Sequence, residues 1–439
     1  MTGYDRTGSV VILPTTDEQN RGDQALVWQT KAIAQQAGYG GDYYMLADPG
    51  AVTEQSQAHG ISPLVPLLQH PGTRYKANGN IKYNVVLTLI WGVIAAFDSI
   101  KGLALLTSLG RRLLRPLLPQ AERTTLDQIA ASSACFVKGG GFIHSTASIT
   151  DTYRAFFFLF HVLLAQSLGK DVFVMPNSFG PLEGRLYRWI VRRALERCRL
   201  VSARETISSE ALHELGIEAP VFPDLAFGLG ATTPSTPSPI AELKGRHPDW
   251  TIVGLTARPY RFPGAENPEA SYESYLTEMK RFVGKLIEVG FQPVFIEHVM
   301  SDRDHESDIV AISRIVSSWP DGKIPVISVP DYNCAELKHL YGECDVVVGT
   351  RFHSVIFALA ERTPALAIAY GGNKGLGIMR DAGLEEFVSP IEEFSAERAF
   401  SQLTDLVERE PEIEERLTAL RARYSAEHDE LARMVLTRR

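Results

Sequence analysis

The sequence predicts an α/β fold of two Rossmann-like domains facing a cleft, with an apolar helical insertion and a helical C-terminal tail. Three observations predict it. Short β-branched or apolar runs alternate with longer helical patterns, the rhythm of βαβ units on a parallel sheet. The rhythm stops at residues 228–250, where Pro, Thr and Ser replace it as in a linker, and then restarts. The 439 residues exceed the size at which one core stops growing, and a 45% hydrophobic content suffices for two. The domains so divided are 1–227 and 251–394, followed by a charged helical tail at 395–439.

In the first domain, strands are expected at "SVVILP" (9–14), "ACFVKGGG" (134–141), "DVFVMP" (171–176), "RLVSAR" (199–204) and "APVFPD" (219–224). Helical patterns at 23–37, 152–168, 183–197 and 206–215 follow most of them. In the second, strands at 251–258, 291–298, 324–329, 344–349 and 364–370 are interleaved with helices near 272–289 and 304–318. The insertion, at about 80–120, breaks the pattern: residues 85–97 carry no charge, and 101–119 mix leucines with Arg111, Arg112 and Arg115. Thirteen uncharged residues fall short of the roughly 20 needed to span a bilayer. The stretch fits a buried helical hairpin; the alternative is a monotopic contact over about 85–119, leucines in lipid and arginines toward headgroups.

With 44 Lys+Arg against 52 Asp+Glu and a net charge of -8, broad electrostatic binding of nucleic acid is excluded. Cys135, Cys198, Cys334 and Cys344 are scattered, which suggests neither a disulfide framework nor a zinc site. The N-terminal stretch lacks the features of a secretory signal, so the expected location is the cytoplasm, or peripherally the inner face of the cytoplasmic membrane.

Ligands of open α/β sheets bind beyond the carboxyl ends of strands. Arg351 and His353 occupy that place after "DVVVG", with Thr350 expected to cap the following helix. A helix N-terminus beside an arginine suits a phosphate or carboxylate, although Arg351 could equally pair with a neighbouring acid. Gly371, Gly372, Lys374 and Gly375 follow the next strand and make a second wall of one anion pocket. In the first domain Gly139, Gly140 and Gly141 either form a tight turn or let substrate approach the backbone. Asn177 and Ser178 end another strand, Asp224 is a carboxylate at the domain boundary, and Asp23 stands where a helix-capping acid belongs. The acid- and histidine-rich 297–308 reads as a solvated loop whose acids cap the next helix.

Taken in order, "NRGDQAL", the triple glycine, "NSFGP", "SARETISSEALHELGI", "PDLAF", "GLTAR", "GTRFHSVIFAL" and "AIAYGGNKGLGIM" resemble the polysaccharide pyruvyl transferase family over roughly residues 8 to 385. The resemblance implies a GT-B-like fold, phosphoenolpyruvate as donor substrate, a sugar as acceptor, and no cofactor or metal. It implies that Arg351 and His353 contact phosphoenolpyruvate. A further arginine is needed, and Arg258 is preferred over Arg204 because it shares a domain with the anion pocket. Lys374 would hold the phosphate or carboxylate, with Asp224, His144 or Asp23 as the base. Asp23, Gly140, Gly141, Asn177 and Ser178 are the candidate acceptor residues. The insertion and linker depart from the family pattern; membrane contact by the insertion would make a lipid-linked oligosaccharide the expected acceptor. A nucleotide-sugar glycosyltransferase is the rival enzyme, though Glu361 lies too far along its helix to bind a ribose. An inactive binding member of the machinery for bacterial surface polysaccharide assembly, the setting that the resemblance implies, is the other.

Overall fold

The computed structural model describes residues 6–71, 85–145, 148–370 and 374–438. The chain forms two compact units: Met1–Glu18 with Leu26–Leu225 and Glu427–Arg439, and Gln19–Ala25 with Ala226–Ala426. The sequence places Asp23 in the first domain, whereas its segment belongs to the second unit. The expected linker 228–250 also lies in the second unit, and it is not structureless: it carries the helix Pro239–Arg246, opened by Ser238, whose Oγ accepts from Ala241 N at 2.9 Å.

In the first unit the strands are β1 (Val10–Leu13), β2 (Tyr43–Leu46), β3 (Ile61–Leu64), β4 (Ala134–Val137), β5 (Gly140–Ser145), β6 (Asp171–Leu182) and β7 (Leu200–Ala203). All pair in parallel, in the order β3-β2-β1-β4-β6, with β5 and β7 also on β6. The residues of β1 and β4 are fully apolar and buried, as expected of strands covered on both faces. The triple glycine is more than a turn, because β5 starts within it and runs along the second half of β6 from Asn177 to Leu182. Residues 219–224 form no strand: only an isolated bridge joins Ala203 to Val221, since Pro220 and Pro223 lack the N–H a ladder needs.

The insertion is helical at Val85–Leu105 and Ser108–Leu114, but it is not the buried hairpin that its composition fits. Leu89, Val93, Phe97, Ile100 and Leu103 face outward while Asp98 is buried. The helix Ile149–Ser167 packs beneath it: a β-carbon added at Gly102 would come within 3.0 Å of the Phe156 ring.

In the second unit β8 (Ile252–Leu255), β9 (Gln292–Ile296), β10 (Val326–Ile327), β11 (Val346–Gly349), β12 (Ala365–Ala369) and β13 (Val388–Pro390) form a parallel sheet in the order β10-β9-β8-β11-β12-β13. This is the doubly wound order, in which the winding reverses between β8 and β11 and opens a crevice beyond their carboxyl ends. The tail is helical, Ala396–Glu408 and Glu410–Thr437, its last residues counted in the first unit.

Candidate functional site

Beyond the carboxyl ends of β8 and β11 stand Thr256, Arg258, Thr350, Arg351 and His353. Thr350 does not cap the helix Phe352–Ala360, as its spacing suggests; Arg351 is the N-cap residue. Thr350 Oγ1 donates to Thr256 O at 3.0 Å, and Thr256 Oγ1 accepts from Thr350 N at 2.7 Å. These bonds lock the ends of the two strands together. Gly349 lets the helix approach β11, since a β-carbon there would lie 2.6 Å from Val355 Cγ2.

Arg351 is nearly buried and holds Asp308, with Nη2 2.6 Å and Nε 2.7 Å from Oδ1; Nη2 also donates to Glu306 O at 2.5 Å. Burial works most strongly against the Arg351 cation, but Asp308, with Tyr370 and Glu306, together outweigh it and the pKa stands above its ordinary value. Asp308 Oδ2 accepts from His298 N and Val299 N at 3.0 Å each. The expected solvated loop at 297–308 is therefore corrected at its ends: Glu297, His298 and Asp308 are buried, and the helix begins only at Asp308. Burial, then the charges of His353, Arg351 and Arg21, push the His298 pKa well below its usual value.

Arg258, half-buried, lies with its guanidinium 4.1 Å from the centre of the Tyr370 ring, and its Nε donates to Pro259 O at 3.2 Å. Burial chiefly, with the like charge of Arg351 also acting, lowers its pKa, while Tyr370 opposes the shift. Arg258 follows β8 and Arg351 follows β11, the two strands that pair at the switch point. Lys374 opens the helix Lys374–Asp381, but its side chain, like Gly371 and Gly372, lies outside the described residues.

The segment Asn20–Gln24 joins this site, which its distance in sequence conceals. Asn20 bridges to Val299, Arg21 N donates to His298 O at 3.2 Å, and Arg21 Nη2 donates to Val329 O at 2.8 Å. Gln24 Oε1 accepts from Cys334 N at 2.8 Å, and Asn20 Nδ2 donates to Asp23 Oδ2 at 3.1 Å. Gly22 is placed directly against the His353 ring. The only signal of this in the sequence is a glycine among polar residues at a helix start.

The remaining candidates lie in the first unit. Arg204 Nη1 is 2.7 Å from Asp224 Oδ2, and Arg204 Nε donates to Ser178 Oγ at 2.7 Å. Ser178 Oγ donates to Glu205 Oε2 at 3.0 Å. Asn177 Nδ2 donates to Lys138 O and Met175 O at 2.9 and 2.8 Å. Asp224 is fully buried in its pair with Arg204, which corrects its candidacy as a base: a carboxylate so enclosed holds the loops together. Asn177 and Ser178 do not end a strand as the sequence suggests: both are buried in the middle of β6. Gly140 adopts φ +148° at the start of β5, with Gly141 next, and His144 is half-buried on the same strand. Among the described residues no group of three or more metal-ligating side chains comes together.

The family model described as polysaccharide pyruvyl transferase matches residues 20–372. The amylovoran biosynthesis protein AmsJ of Erwinia amylovora is 25% identical over 306 residues, 68% of this chain and 71% of that one. A glycosyltransferase from Rickettsia africae superposes with TM-score 0.54 at 11% identity, covering 99% of this chain and 100% of that one. An alpha,alpha-trehalose 6-phosphate synthase from Burkholderia multivorans gives 0.51 at 11% identity, with 98% of each chain covered. The structural neighbours share the GT-B fold with this chain, and at that identity the likeness is one of fold alone.

Proposed function

Because the chain belongs to the polysaccharide pyruvyl transferase family and is on that ground a transferase, we propose that it moves the enolpyruvyl group of phosphoenolpyruvate onto two hydroxyls of a glycan sugar. The product is a pyruvate ketal, made during assembly of a bacterial surface polysaccharide, as the name of the Erwinia relative suggests. The observation that carries the donor is that Arg258 and Arg351 follow β8 and β11, the two strands that pair at the switch point, with Arg258 seated on the Tyr370 ring. Two cations at one switch point in a partly dry site favour a ligand with two anionic groups, and phosphoenolpyruvate has a phosphate and a carboxylate. Arg258 binds one of them; Arg351, anchored by Asp308, supplies field and position. Lys374 is assigned to the phosphate or carboxylate.

His353 protonates the methylene carbon of the donor or contacts its phosphate. Protonation leaves an oxocarbenium-like carbon, which a sugar hydroxyl attacks. Phosphate then departs and a second hydroxyl closes the ring. Asp23, next to the glycine that meets His353, is the preferred base, with His144 the alternative. The scheme requires no metal or cofactor and sets the reaction in the cytoplasm, where this donor is made.

The test is a thermal-shift titration with phosphoenolpyruvate and with nucleotide sugars, using wild type and Arg258→Ala. A donor at about 100 times its Kd adds roughly 2.7 kcal/mol of apparent stability. Stabilisation by phosphoenolpyruvate, lost in Arg258→Ala, supports the reading. Stabilisation by a nucleotide sugar alone would replace it with glycosyl transfer.

A further inference from the structure

We infer that the outward apolar face of the insertion, Leu89–Leu117, seats the protein on an anionic lipid bilayer as a monotopic contact. The inference stands apart from the identity of the donor. It rests first on a helix that is apolar on both sides and exposes one of them. Amphipathic helices of globular proteins turn their apolar stripe inward, yet on Val85–Leu105 the side chains of Leu89, Val93, Phe97, Ile100 and Leu103 point outward at helical spacing. The next segment repeats the arrangement with Leu109, Leu113 and Leu117, and across both the exposure lies between 57 and 77%. The one acid in the first helix, Asp98, is buried. An apolar face of this extent marks an interaction surface.

Charge identifies what covers it. Exposed Arg112 stands between Leu109 and Leu113, and Arg115 follows, paired with Asp127 at 2.7 Å. The helix Ile149–Ser167 contacts the insertion through Gly102 on one side and the helix Arg185–Leu195 on the other, where Gln166 Nε2 donates to Ala194 O at 2.7 Å. That third helix, "RLYRWIVRRAL", has four arginines and no acid, and it exposes Leu186 and Trp189. Three of its arginines are paired: Arg192 and Arg193 lie 3.5 and 3.3 Å from Glu196 just beyond its end, and Arg188 lies 3.6 Å from Glu214. Leucines with a flanking tryptophan and arginines are the chemistry of a helix lying in the headgroup boundary of an anionic leaflet. No single helix among the described residues is long and apolar enough to cross a membrane; the pair Leu89–Leu105 and Ser108–Leu117 reaches that length and composition only together, across a bend of 116°.

Full-length protein is mixed with vesicles of phosphatidylcholine, or of phosphatidylcholine with phosphatidylglycerol, and sedimented. The expected result is binding to the phosphatidylglycerol vesicles that weakens with added salt. Phe97→Glu with Ile100→Glu, both at exposed positions, should reduce partitioning at least roughly tenfold while Tm is kept. Arg112→Glu and Arg185→Glu should each reduce it by roughly fivefold or more. Wild type left in the supernatant, or equal partitioning of the Phe97→Glu, Ile100→Glu variant, would overturn the inference. So would a dimer in light scattering that Phe97→Glu splits while vesicles stay bare, which would assign the face to a second copy.

Discussion

A β-carbon built on Gly22 would lie 2.1 Å from His353 Nδ1 and 2.4 Å from its Cγ, so the imidazole rests on bare backbone. Any side chain at position 22 has to displace the ring. Gly22→Ala is expected to cost about 1–3 kcal/mol in stability through overpacking and to lower kcat by at least roughly tenfold through misplacement of a reacting group. Thermal melts and phosphate release from phosphoenolpyruvate read the two effects separately; full kcat in the alanine variant would remove His353 from the chemistry.

Asp308 is fully buried, and its two oxygens serve Arg351 on one side and the amides of His298 and Val299 on the other. Asp308→Ala leaves a nearly buried cation and two amides unmatched, and should destabilise the chain by about 3–5 kcal/mol. Asp308→Asn, which keeps an acceptor, should lose less. Denaturant titration of the two variants gives the comparison, and equal losses would mean that charge is irrelevant to the pair.

Arg258 is steadied by the Tyr370 ring beneath it. Arg258→Ala should weaken phosphoenolpyruvate by at least about 1.5 kcal/mol, the value of a charge-assisted bond. Tyr370→Leu should cost about 0.5–2 kcal/mol of donor affinity, since the arginine loses its platform but keeps its charge. Calorimetric titration at fixed salt measures both, and an unchanged affinity in Arg258→Ala would move the donor site elsewhere.

Acid should weaken the fold through His161. It is buried, Leu67 N donates to its Nε2 at 3.1 Å, and burial lowers its pKa to about 3. The unfolded chain takes up the proton near pH 6.5 and the folded chain does not, so the unfolded state binds more protons across the window from about 6.5 down to about 3. Stability therefore falls as pH drops through that window and is unaffected above it. His298, lowered for the same reason, adds to the loss. Tm should decline from pH 6.5 to 5 by less in His161→Gln, whose amide oxygen can accept from Leu67 N without titrating; identical slopes would exclude His161 as a source.

The central strands of both sheets were legible, because runs such as "VVIL" and "VVVG" are apolar on both faces and bounded by turn residues, whereas β2, β3 and β13 were not, and the strand expected at 219–224 does not form. The position of Arg351 and His353 after β11 was legible for the same reason. What Arg351 binds was not, since Asp308 lies 43 residues away in a stretch whose many acids read as solvated. Nor could spacing tell that Ser178, Arg204 and Asp224 satisfy one another, because each alone resembles a strand-end site residue. The outward face of the insertion escaped as well: when nearly every residue is apolar, periodicity no longer indicates which side is buried.

The placement of Gln19–Ala25 within the second unit has a consequence for synthesis. Arg21 waits for the carbonyl of Val329, 308 residues later, and Gly22 waits for His353. On the ribosome, these early residues emerge long before the sheet they complete, so Gln19–Ala25 stays without its partners until the strands of the second unit follow. A protein split at residues 228–250 would carry that segment on the wrong half, and recombining the two halves, rather than either alone, is what would rebuild the bed beneath the imidazole.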